Sequence, residues 1–157
     1  MSVTRNVITG LAGVGIVSAG VLSLDNTERN SAGEIVEAGQ LGVFSVQVGD
    51  CLRDLSFTND EVSEGLGVPC AEAHIYEVFY ETFLEGSSLS EIGRRAEEIC
   101  LANFQSYVGT PYNDSRFYSS ALVPTAESYD EGDREVTCFL FNENETNEYG
   151  SARNSGE

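Results

Sequence analysis

The sequence predicts a small α+β domain: a mainly antiparallel sheet of about four or five strands, one helix packed across a face, two disulfides, and an apolar helix ahead of the whole. Three observations carry this prediction. One segment has a full set of helix start and stop signals, several short segments are rich in β-branched and aromatic residues, and all four cysteines lie within the span these elements cover.

The helix is the best-marked element. Ser88, with Glu91 three positions on, forms a capping box, and Gly109 supplies the stop. Between them Ile92, Ala96, Ile99, Cys100, Phe104 and Tyr107 recur at intervals of three and four, while Arg94, Arg95, Glu98 and Gln105 face elsewhere. That single apolar stripe must lie on a sheet. Residues 43–48 alternate apolar and polar up to the turn at Gly49 and Asp50, which reads as a strand. Residues 75–84 form a second strand of mixed faces, with Glu77 and Glu81 on one side and Tyr76 and Tyr80 on the other. Residues 117–123 and 135–141 give a third and a fourth, separated by Pro124 and the turn-forming run 128–133.

At 157 residues the chain holds one core of ordinary size. Residues 1–24 read as a transmembrane anchor or signal peptide, 25–41 as a solvated linker, 42–141 as the folded unit and 142–157 as a disordered acidic tail. The segment 7–24 carries no charge, is preceded by Arg5 and is followed at once by Asp25 and Glu28. As a helix it spans about 27 Å, the short limit for a bilayer. Basic charge before it and acidic charge after it direct the folded unit outside the cell. Gly10, Gly13, Gly15 and Gly20, and the small residues around Ala19, suit a cleaved signal instead, which leads to a secreted domain.

Twenty-six acidic residues stand against eight basic ones, all of them Arg, for a net charge of -18. Nucleic acid is thereby excluded as a partner, because phosphate binding needs a basic patch. Membrane contact is expected through the N-terminal segment alone, because an acidic surface repels anionic headgroups.

Cys51, Cys70, Cys100 and Cys138 are an even number in a chain expected to be exported, and read as two disulfides. The wide gaps between them lack the close pairs that zinc and redox motifs use, so no metal is expected. Three pairings are open, and spacing does not choose among them. Val48-Gly49-Asp50-Cys51, Val68-Pro69-Cys70, His74 with Glu77-Val78, a helix bearing Cys100 and Phe104, Pro124-Thr125, and Gly132-Asp133-Arg134 leading to Cys138 follow one another in order. In these motifs the chain resembles the septum formation domain family of actinobacterial membrane and secreted proteins, over about residues 48–140. The resemblance implies an extracytoplasmic domain attached to a membrane segment, a link to division septa and the cell envelope, and no catalytic activity. It marks Gly49, Asp50, His74, Glu77, Pro124, Gly132 and Asp133 as motif positions with structural roles. With the motifs in this order, Cys51 is expected to pair with Cys70 and Cys100 with Cys138.

Candidate chemistry is thin. His74 is the one histidine, and no nucleophile motif accompanies it, so it is expected to fix a turn by bonding backbone. Glu77 and Glu81 could form a carboxylate pair, but a solvated or salt-bridged strand face is the plainer expectation. The carboxylates around Gly132 read as a turn and not a calcium loop. No enzyme activity and no cofactor is expected. Two functions follow: a non-catalytic interaction module of the cell envelope with a protein partner in or at the membrane, or an accessory subunit covering the outer face of a larger integral-membrane complex.

Overall fold

The computed structural model describes residues 2–5, 25–58 and 61–157, and among these the fold is α+β. The apolar segment 7–24 lies outside the described residues, and no helix among them is long and apolar enough to cross a membrane.

The main sheet has seven strands: β1 (Ser2–Arg5), β4 (Gly39–Gly42), β5 (Cys51–Thr58), β6 (Glu61–Val68), β7 (Tyr76–Phe83), β8 (Phe117–Pro124) and β9 (Glu135–Asn142). They run in the order β1-β8-β9-β7-β5-β6-β4, antiparallel throughout except at β1. Strand β1 lies parallel to β8 on one side and to the start of β6 on the other, so six strands close on themselves and β4 covers the rest of the β6 edge. Two further strands, β2 (Glu28–Arg29) and β3 (Ile35–Glu37), form a small separate hairpin.

Helix α1 (Leu89–Val108) begins at the predicted capping box, where the Glu91 amide donates to Ser88 Oγ and the Ser88 amide donates to the Glu91 carboxylate. It ends on Gly109 at φ 93°. Its stripe of Ile92, Ala96, Cys100 and Phe104 packs on β7, β8 and β9 through Phe79, Ala121, Val136 and Leu140. Side chains alternate across a strand, so Leu122 and Phe139 of the same strands point the other way, into a second core with Leu41, Leu52, Val62 and Val78. One sheet thus separates two apolar clusters. The disulfides are Cys51–Cys70 and Cys100–Cys138, the second tying α1 to β9.

Three expectations are corrected and one unforeseen element is added. Residues 43–48 are turns and not a strand: the Gln47 amide is drawn to Asp50 Oδ2 at 2.8 Å, and Val43 and Val46 are buried three apart, not two. The sequence reading placed no element over residues 52–68, where the β5–β6 hairpin lies with Gly65 and Gly67 inside β6. Both are glycine because β5 and β3 press close: a Cβ on Gly65 would stand 2.6 Å from the Asp54 carbonyl oxygen, and one on Gly67 2.9 Å from Ile35 Cδ1. Residues 25–41 are no linker, since Ile35 and Leu41 are buried and β4 pairs with β6. The stretch 142–157 is no disordered tail. It folds back over the sheet, buries Ala152 and bonds to main chain at Cys70, His74, Tyr107 and Val108.

Candidate functional site

The motif residues gather in two places. At one end of the sheet Pro124 closes β8, and Thr125 caps the short helix α2 (Ala126–Asp130) through Ser128. Asp133 accepts from Ser128 Oγ at 2.9 Å and from the Glu135 amide at 3.0 Å, so its carboxylate fastens the turn around Gly132. Arg134 lies 3.4 Å from the centre of the Tyr129 ring, a cation–π contact that holds α2 against β9.

The other gathering is the candidate site. Gly49, at φ 101°, turns the chain so that its own amide and the Asp50 carbonyl both bond to Val78, which sets the start of β5 beside β7. Asp50, nearly fully buried, receives the Arg29 guanidinium at 2.6 and 2.8 Å and the Gln47 amide. That fork raises the Arg29 pKa above its ordinary value. Both oxygens of the buried Asp50 carboxylate thus accept hydrogen bonds, as a charge out of water requires.

Next to it Cys51 bonds to Cys70, and His74 and Glu77 follow on the same side. His74 is 2% exposed; its Nδ1 donates to the Glu72 carbonyl at 2.9 Å, and its main chain pairs both ways with Glu148. Glu77, 1% exposed, is overturned as a solvated strand face. Its Oε1 accepts from Tyr107 Oη at 2.7 Å and from Ser151 Oγ, and its Oε2 from the Ala152 amide at 2.7 Å. The buried carboxylate thus latches the C-terminal segment onto helix and sheet. Tyr107 has its pKa raised, first by burial and then by the neighbouring Glu77 charge.

Ligand atoms of Cys51, His74 and Glu77 lie within 4.8 Å of one another. The sulfur is committed to a disulfide and the carboxylate to three donors, so this donor set offers a metal neither a thiolate nor a free oxygen pair. On the far side of the C-terminal segment Arg116 grips Glu148 at 2.6 and 3.0 Å and Glu157 at 2.7 Å.

Outside this centre lies a groove of about 670 Å³. Its floor is the Cys51–Cys70 disulfide, and its walls are β3, the 47–50 turn, Pro69 with Ala71, and the returning segment at Ser151 and Arg153. The volume falls in the range of small-molecule and peptide sites. Sequence reasoning missed this groove, because two of its walls come from stretches read as linker and tail. The motif cluster from Gly49 to Cys70 was the available signal.

Fold and site together define a disulfide-stapled α+β domain whose motif residues build a framework around an open groove. The family model described as septum formation matches residues 48–156, more than half of the chain, and the chain belongs to that family. The matched span takes in the returning C-terminal segment. No curated protein and no solved structure matches the chain.

Proposed function

We propose that the protein is a non-catalytic interaction module of the bacterial cell envelope, acting outside the membrane in septum or wall assembly. Residues 1–24 hold it at the membrane or are removed on export. Its contact surface is the groove over Cys51–Cys70, which receives a protein partner in or at the membrane.

The observation that carries this reading is the use made of the family's polar residues. Asp50, His74 and Glu77 are buried and spend their hydrogen bonds on Arg29, main chain, Tyr107 and Ser151, supporting the groove from beneath. Two exposed apolar side chains, Val36 and Val48, line the groove instead, as at surfaces that await a partner.

A fluorescent fusion of the full chain, expressed from its own locus, tests the proposal. It is expected to concentrate at division sites, and the double variant Val36→Asp/Val48→Asp to disperse while keeping its thermal midpoint. Even distribution of the unaltered fusion, with normal septa in a deletion strain, would sink the reading.

A further inference from the structure

Three features of the groove describe its occupant, an argument that rests on the interaction-module reading. The first is an open strand edge. β3 lines the groove through Ile35 and Val36 and, among the described residues, pairs only with β2, so its second edge offers main-chain donors and acceptors to an incoming strand. The second is the apolar rim, where Val36 is 51% and Val48 39% exposed.

The third is a cation held ready. Glu34, Asp50 and Arg153 are the charged side chains lining the groove. Asp50 is neutralised by Arg29, and Glu34 accepts from Asn30 Nδ2 at 2.8 Å. Arg153 enters no ion pair among the described residues. It is nonetheless fixed in place. Its guanidinium carbon lies 4.6 Å from the centre of the Tyr107 ring, its amide donates to Ser151 Oγ at 3.0 Å, and Ala152 beside it is latched to Glu77. A Cβ on Gly49 would come within 3.1 Å of Arg153 Nη2, so glycine there leaves the guanidinium its room.

We propose that the groove receives the extended C-terminal end of a partner protein, its backbone added to β3 as a further strand and its terminal carboxylate seated on Arg153. A planar guanidinium matches a carboxylate through two parallel hydrogen bonds. A chain terminus supplies that carboxylate from the backbone itself, which lets strand addition and carboxylate capture act on one short segment. The chain's charge of -18 disfavours a polyanion but tolerates one carboxylate at contact distance, since more distant charges are screened over about 8 Å.

The test uses the full chain with both disulfides formed. Acetyl-Ser-Thr-Val-Ser-Val with a free carboxyl end is titrated against its C-terminal amide while backbone amide shifts are followed by NMR. The acid is expected to shift Gly33, Ile35, Val36, Gly49 and Arg153, and to bind about tenfold more tightly than the amide. Arg153→Gln should abolish that difference without moving the thermal midpoint, and Arg153→Lys should restore part of it.

Equal affinity for acid and amide overturns the proposal, as does the absence of groove shifts at about 5 mM peptide. A peptide ending in D-Ala-D-Ala that binds more tightly than the L-peptide also overturns it, in favour of a wall peptide. Loss of peptide binding alongside intact septal recruitment that still depends on Val36 and Val48 would remove this occupant and leave the interaction-module reading in place.

Discussion

Glu77 shows how much one side chain organises here. Three donors from helix α1 and the C-terminal segment meet on a carboxylate with 1% of its surface exposed. Glu77→Gln keeps the shape but turns an amide NH2 toward one of those donors, and an unsatisfied buried polar group costs on the order of 2 kcal/mol. Urea denaturation should show that loss, and Tyr107→Phe a smaller one. Across the same segment Arg116 lowers the Glu148 pKa below 4.5, first by hydrogen bonding. A carboxylate depressed in the folded state contributes stability above its ordinary value and loses it as pH falls through the folded one. The thermal midpoint should therefore fall below pH 4.5, and part of that slope should vanish in Glu148→Gln. The motif marked Glu77 as structural, but its burial was not legible in the sequence. Its shielding comes from Tyr107, 30 positions on, and from Ser151 and Ala152, 74 and 75 positions on, and nothing local in β7 announces them.

Elements differ in how far their own residues specify them. Helix α1 was legible to its caps because each end is set locally: Ser88 and Glu91 act on one another within the first turn, and the Gly109 amide bonds to the Gln105 carbonyl of the last. Gly109→Ala should cost about 1 kcal/mol, since φ 93° strains any residue with a Cβ although no atom crowds the site. The β5–β6 hairpin was illegible because its glycines answer to close approach, of β5 at Gly65 and of Ile35 in β3 at Gly67, and not to local chain preference. The two disulfides staple different neighbourhoods. Cys100 and Cys138 are buried in the core between α1 and β9, whereas Cys70 is partly exposed on the groove floor. Brief treatment with a mild phosphine followed by alkylation should therefore label Cys51 and Cys70 well before the other pair. Equal labelling would mean that the groove does not admit a reductant.

At the scale of the molecule, the C-terminal segment behaves as a strap and its removal is the largest change proposed. Truncation after Tyr149 exposes the cluster around Ala152, strips two of three donors from Glu77 and takes away Arg153. The shortened chain should unfold at a markedly lower temperature and exchange its β7 amides faster. The sequence concealed this because Asn, Glu, Ser and Gly look solvated until their backbone groups are counted, and it is mostly backbone that the strap uses. The seating of β1 carries a further consequence. Ser2–Arg5 is wedged between β8 and β6, so the first described residues of the chain close the ring of strands that the later residues form. A form that keeps residues 1–24 in the membrane and a form that sheds them both leave the β6 and β8 edges that β1 fills without that partner.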